Sequence, residues 1–481
     1  MFVLLALLFL LAPLRAQTLI IQRATVIDLA SPKPLKDTDV AVSGGRILAI
    51  GKGIKVPPGA QVIDARGKFL IPGLWDMHMH LGLPDAFLPM LMANGVTGVR
   101  EMFTGIPLPL IQQWRARPDA PRIVASGFLD GPLMLSAPSI PPGAFAVATA
   151  DQARFAVDVL ARSGYDFLKV YSDLPREAYF AIAQEARAIG IPFAGHVPES
   201  VSPLEAAETG QRSQEHLINI LQACSTKEDE LRAERLRVMN DDQLSGDARL
   251  RILGFPDLRS FLDSQGKDTY SKEKAAALFD AFVRNGVWQT PTLALLQGFA
   301  YGDDLVNDPS FHYMPESWRK TAHARDKPYM QDLSPEQFEE LVGRIRALLD
   351  RYKILVRDMH HAGVEFLAGT DTSLTNPVIP GVGLHHELAL FVDAGFTPLE
   401  ALATATRNPA RYYGALNVTG TIEVGKFADL VLLDADPLAD IHNTQKIRAV
   451  VARGRYFSRI DLDAMLERVA GSSTPSAALA P

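Results

Sequence analysis

The chain predicts an α/β architecture: a (β/α)8 TIM barrel of parallel strands with a flanking β-sandwich domain built from both chain ends. Two observations carry this. From Gly73 to about residue 370, short apolar segments alternate with alanine-rich, charged stretches of helical character, and eight such units favour a closed barrel over an open parallel sheet. On either side of that region, β-branched residues alternate with Gly, Asp and Pro turns, which is strand grammar. The expected boundaries are a leader at 1–16, sandwich strands at 17–70, the barrel at 71–415, further sandwich strands at 416–458, and a C-terminal helix with a disordered tail at 459–481.

The chain begins MFVLLALLFLLAPLRAQ, an apolar run ending in Leu14, Arg15 and Ala16. This has the form of a secretory signal cleaved after Ala16. It is shorter than the ~20 residues of a membrane span, so no membrane insertion is expected once the leader is removed. Cys224 is the single cysteine, which excludes an intrachain disulfide, and no cysteine follows the cleavage site to carry a lipid. A periplasmic or secreted location fits. Of the 481 residues 47% are hydrophobic, enough for a large core, and the formal charge of −7 provides no basic field for nucleic acid. The composition leaves a homo-oligomer open.

After the leader, TLIIQRATVIDLA and KDTDVAVSGGRILAIGKGIKV read as short strands. The barrel strands follow in order: the segment through GLWDMHMH, then VTGVREM, RIVASG, DFLKVY, IPFAGH, RSQEHL, GVWQTPT and GVEFLAGTDTS. Residues 221–280 interrupt the rhythm with charged helical stretches, too long for an ordinary connection, and predict a helical insertion over one end of the barrel. GTIEVGKFADLVLLDADP and KIRAVVARGRYFS then return to strand grammar, and the closing AGSSTPSAALAP is small and polar.

Polar residues stand at the downstream ends of these strands: His78 and His80 on the first, Lys169 on the fourth, His196 on the fifth, His216 on the sixth and Asp371 on the eighth. In a strand, residues two apart point the same way, so both imidazoles of HMH can converge on one ion. The C-terminal rim of a parallel barrel gathers strand ends into one bowl, where such folds carry chemistry. Four imidazoles and a carboxylate suit zinc or a similar transition ion. Lys169 admits two readings: a solvent-facing lysine paired with Asp166 or Asp173, or an amine that takes up carbon dioxide to become an anionic two-oxygen ligand. His360 and His361 precede the eighth strand and read as structural. Arg100 and Arg212 could meet a small substrate carboxylate or serve as ordinary salt-bridge residues.

The stretches GLWDMHMH, LKVY, AGH, EHL, AGTDTS, LHHELALFVDAGFTPLEALATATRNPARYYG and GTIEVGKFADLVLLDADP resemble the metal-dependent amidohydrolase superfamily. The similarity is nearest the branch of imidazolonepropionase-like proteins and Xaa-Pro dipeptidases (prolidases). The resemblance implies a barrel with a flanking β-sandwich and two divalent ions. It would have His78, His80 and Asp371 hold the more buried ion, His196 and His216 the more exposed one, and N-carboxylated Lys169 bridge both. It puts Tyr171 where a tyrosine can donate to a substrate carbonyl; core packing is the alternative. GFLDGPLM lacks the histidine of the best-known prolidase-like members, so carboxylate or proline recognition by that loop is not carried over. Either His385 or His386 can face the bowl, and His385 is the third catalytic candidate beside Asp371 and Tyr171; capping or packing is the alternative.

Two such ions would hold a bridging hydroxide, with Asp371 as general base and then general acid and with no organic cofactor. The expected reaction is amide hydrolysis in a small substrate such as a dipeptide or N-acyl amino acid. A cyclic amide or imidazolone, a lactone or a phosphotriester follows in that order. A catalytically silent small-molecule-binding protein is the reading from another class, opposed by the filled ligand set.

Overall fold

The computed structural model describes residues 18–136, 140–241, 243, 266–320, 323, 330 and 333–471. The expected leader at 1–16, much of the expected insertion and the tail from 472 lie outside the described residues.

Eight parallel strands form one run: Leu74–Met79, Val96–Glu101, Arg122–Asp130, Phe167–Val170, Phe193–Gly195, Ser213–Glu215, Trp288–Thr290 and Glu365–Phe366. They match the eight apolar segments of the sequence. The segment after Phe366 closes the cylinder onto the first strand. Met77 N–H donates to Ala368 O, Thr370 N–H to His78 O and His80 N–H to Thr372 O, at 2.8, 3.0 and 2.8 Å. The first strand is buried at every position, as expected for a parallel strand covered on both faces.

The helices start where the sequence supplies caps. Thr149, Ser202, Ser334 and Thr397 each accept the backbone N–H three residues on, and Gln152, Glu205, Gln337 and Glu400 reciprocate. Their apolar faces, such as Ala153, Val157 and Leu160 or Leu348, Leu355 and Met359, enter one core with the outward side of the strands. Each fully buried aliphatic side chain there contributes about 1.5–3 kcal/mol.

Both chain ends meet in a second sheet whose strands run in the order Arg455–Ser458, Ile447–Ala452, Leu430–Leu433, Phe69–Pro72, Leu19–Val26, Leu35–Ser43 and Arg46–Gly51, with Gln61–Asp64 paired to Leu19–Val26. Leu19, Ile21, Val40, Leu430, Leu432 and Val451 give this sheet its own core. The helix Arg459–Gly471 buries Leu462, Met465 and Leu466 in the barrel core.

Within the expected insertion, the helix Glu228–Met239 is tied to the loop after the fifth strand, where Arg235 donates to Glu199 from Nε and Nη2, both at 2.5 Å. The last part of that interval, Lys272–Asn285, is a barrel helix with Leu278 and Phe282 in the main core. A second excursion lies between Thr290 and the long helix Pro335–His361, beyond the expected bounds of 221–280.

Close strand packing fixes one residue beside the rim. Gly195 has φ +135°, and a Cβ there would lie 2.1 Å from Val170 O, which belongs to the neighbouring strand. Gly190, with φ +78°, has open space around it. Gly190→Ala should therefore cost only the left-handed strain, about 1–2 kcal/mol. Gly195→Ala must also push two strands apart and should cost about 3 kcal/mol or more. Urea unfolding of the two variants checks this; equal losses would contradict the strand contact.

Candidate metal centre

The strand ends bring four histidines, Asp371 and Lys169 to one place on the C-terminal rim. Ring centroids of His78 lie 5.6 Å from His80 and 4.4 Å from His216, and His196 lies 4.9 Å from His216. Asp371 Oδ1 stands 3.0 Å from His80 Nε2 and 3.4 Å from His78 Nε2, and Lys169 Nζ is 3.5 Å from His78 Nε2. Ligand atoms of His78, His216 and Asp371 all lie within 4.8 Å of one another. His78 is fully buried and Lys169 is 2% exposed, so neither can be a surface residue. The reading of Lys169 as solvent-facing is excluded; Asp166 pairs with Arg115 instead.

Each histidine is oriented through Nδ1. In His78 it faces Glu215 Oε2 at 2.8 Å, and in His80 the carbonyl of Phe103 at 2.6 Å. In His196 it faces Ser172 Oγ and in His216 Thr292 Oγ1, both at 2.8 Å. A carboxylate and a carbonyl can only accept, so His78 and His80 carry a proton on Nδ1, which leaves Nε2 as the nitrogen available to an ion once it is deprotonated. The hydroxyl partners of His196 and His216 allow the same arrangement. This donor set, imidazole nitrogens with the Asp371 carboxylate, fits a divalent transition ion. The backbone is bent to achieve it: φ is +84° at Phe103, +63° at His216 and +54° at Asp371, left-handed values uncommon for residues with a side chain.

Behind the histidines lies a buried charge network. Arg100 Nη2 donates to both oxygens of Glu215, at 2.8 and 2.9 Å, while Nε donates to Met77 O and Nη1 to Ser213 Oγ. Asp76 accepts from Thr370 Oγ1 at 2.6 Å and from the N–H groups of His78 and Thr370, both at 3.1 Å. Burial raises the Asp76 carboxyl to about 7 against these bonds. Burial likewise pushes Glu101 up, opposed by His80 and by its bond with Thr104. At Asp371 burial acts upward too, but His216, His80 and Lys169 outweigh it and hold the carboxyl below its ordinary range. Burial lowers the Lys169 amine, with Asp371, Glu215 and Glu101 pulling the other way.

Tyr171 lies at the rim, its ring 3.9 Å from that of His196 and 5.3 Å from Lys169 Nζ. His385 does not join the site, which corrects the expectation of a catalytic role. Its Nδ1 meets Thr444 Oγ1 at 2.9 Å and its Nε2 meets the carbonyl of Asn94 at 3.1 Å, so it ties its helix to two neighbouring segments. Burial lowers its pKa to about 4, keeping it neutral. His386 lines a separate cleft with Asp308 and His442. His360 stacks on Phe396 at 3.8 Å, consistent with the structural reading. Arg100 is spent on Glu215 inside the barrel, and Arg212 packs over Tyr412 at the opposite end, so neither can receive a substrate carboxylate at the rim.

Glu215 is a functional residue that the strand-end histidines do not by themselves indicate, since it acts through His78. A signal was present: Arg100 and Glu215 are charges inside strands expected to be buried, and such charges need partners.

Residues 280–456 match the family model described as Amidohydrolase family. A dihydroorotase of Trichlorobacter lovleyi is 46% identical over 67 residues, 14% of this chain and 15% of that protein. The chain thus matches that curated relative over only a small part of its length. Among solved structures, a Xaa-Pro dipeptidase with bound methionine superposes with a TM-score of 0.64 at 18% identity, covering 92% of this chain and 100% of that one. A bottromycin amidohydrolase superposes with a TM-score of 0.69 at 23% identity, covering 96% and 94%. At these identities the superpositions speak for the fold. Residues 280–456 are thus similar to the amidohydrolase family, and the chain as a whole shares its fold with the Xaa-Pro dipeptidase and the bottromycin amidohydrolase.

Proposed function

We propose that the protein hydrolyses an amide bond in a small molecule such as a dipeptide or N-acyl amino acid, using two divalent ions, zinc by ligand chemistry. His78, His80 and Asp371 would hold one ion and His196 and His216 the other, with N-carboxylated Lys169 between them. The observation that carries this reading is the partner of every Nδ1, since four imidazoles aimed by separate groups around one carboxylate are costly to build for packing alone. The family similarity of residues 280–456 and the amide-cleaving names of the structural neighbours support the bond type.

When bound, the ions supply Lewis-acid polarisation of the substrate carbonyl and acidify a water. The chain's own residues do the rest. Asp371, held ionised by its cationic surroundings, accepts the proton of the attacking water and returns it to the leaving nitrogen. Tyr171 donates its hydroxyl proton toward the oxygen on which charge develops. Glu215 keeps the His78 ring from rotating, and Phe103 O does the same for His80.

A screen of dipeptides, N-acyl amino acids, cyclic amides, lactones and phosphotriesters tests the reaction class. Amide turnover should exceed ester and phosphotriester turnover by about tenfold or more. The reverse ranking would move the reaction to another class while leaving the metal assignment intact.

Metal analysis of protein prepared without chelator should give close to two ions per chain. Lys169→Ala should lose metal and activity together, and short carboxylates added with metal should restore part of the rate. Full metal content with full activity in that variant would exclude the bridge.

The protein is proposed to be exported. Its mature form should start at Gln17 in a soluble periplasmic or secreted fraction, as read by N-terminal sequencing. Intact Met1 on membrane-held protein would overturn this.

A further inference from the structure

Three aromatic rings stand in a row along one side of the bowl, each from the end of a neighbouring strand. Phe103 follows the second strand, Phe128 lies on the third and Tyr171 follows the fourth. The rings of Phe103 and Phe128 stack at 4.7 Å and 17°, those of Phe128 and Tyr171 meet at 5.2 Å, and Tyr171 reaches His196 at 3.9 Å. Strand register fixes the direction. Phe128 is the direct partner of Lys169, and the alternation along its strand puts Val124 and Phe128 on the lumen side while Ile123, Ala125 and Leu129 enter the outer core.

We propose that this row is a substrate subsite, and that the substituent flanking the scissile bond is apolar, preferably aromatic. This rests on the reading of the centre as an amide hydrolase.

The row differs from its buried neighbours. Met102, Phe167 and Ala194 form a buried cluster, whereas Phe103, Phe128 and Tyr171 are each only half-buried. Rings left partly in water at the edge of a reactive centre gain when an apolar group covers them. Phe103 also carries its φ of +84° while its carbonyl holds His80, so one bent residue both orients a ligand and starts the wall. Strain of this kind gathers at functional sites. Charge disfavours an acidic substituent at the rings. Glu101, two residues before Phe103, adds a carboxyl rather than a cation, and Arg235 in the neighbouring loop contact is held by both oxygens of Glu199. A substituent with its own carboxylate finds no counter-charge in the three rings themselves.

Matched amides differing in one flanking residue test this on the metal-loaded, full-length protein, with Phe, Leu, Ala, Asp and Lys at either side of the bond. The expected result is a kcat/KM for Phe and Leu about tenfold or more above that for Asp and Lys. Phe128→Ala should reduce the preference for Phe over Ala by about tenfold, mainly through KM, with metal content unchanged; Phe128→Leu should recover most of it. Calorimetric binding of N-acetylphenylalanine against N-acetylaspartate adds a readout free of turnover. Equal or better use of the Asp and Lys amides, or an unchanged preference in Phe128→Ala, would overturn the subsite. Absence of turnover for every amide with retained binding preference would count against the hydrolase reading and leave the subsite standing.

Discussion

The structure depends on a buried ion pair in the barrel lumen. Arg100 and Glu215 are both buried, on strands that are not neighbours in the sheet, and the contact of Nη2 with both carboxylate oxygens spans the interior. Taking two charges out of water costs several kcal/mol each, and only good geometry with further hydrogen bonds offsets that. Both conditions are met. Of the remaining guanidinium donors, Nε reaches Met77 O and Nη1 reaches Ser213 Oγ and Tyr412 OH, and Glu215 accepts from His78 as well. Losing one partner of such a pair costs about 3–5 kcal/mol, because the other charge is stranded. The pair therefore couples the register of several strands to the rotation of His78.

The closure between the first strand and the segment after Phe366 uses the same economy. Asp76 gathers Thr370 and the His78 backbone, and Gly369 permits the approach, since a Cβ there would lie 2.7 Å from His78 Cβ. The strand carrying two histidines and the loop carrying Asp371 are thus aligned by contacts one or two residues from the ligands. Asp371 N–H donates to His78 O at 2.7 Å, so the carboxylate and the imidazole it approaches share one backbone link. An error in barrel closure would be an error in the site.

Much of this was legible in the sequence because it is local. The eight strands follow from short apolar runs between helical stretches, and His78 with His80 declare themselves by a spacing of two. What failed was non-local or degenerate. Glu215 orients His78 across 137 positions, and no pattern near either residue specifies that contact. His385 was misassigned because its helix, Val382–Asp393, is buried on most sides, with Leu384, His385, Glu387, Leu388 and Leu390 all inside. A helix covered all round has no polar face to tell which histidine looks toward the bowl. The excursion after Thr290 escaped because its short helices carry no sustained period. Phe128 was noticed only as a missing histidine; its role as a neighbour of Lys169 comes from strand register.

The charge balance of the centre gives the proposed carbamate its physical sense. Arg100 is matched by Glu215, which leaves Lys169 and Asp371 facing one another among four imidazoles. As an ammonium, Lys169 offsets Asp371 and the bowl is nearly neutral, a state suited to a protein without ions. Two divalent cations would meet one ionised carboxylate and a repelling amine. Carboxylation would reverse the sign of the lysine and add two oxygens among the histidines, so that the modification and the ions would stabilise each other. Burial raises the carboxyls of both Asp76 and Glu101, which stand on the strands that carry or adjoin His78 and His80. The lumen network holds the ligand geometry fixed through that exchange, because Arg100 and Glu215 neutralise each other whichever state Lys169 adopts.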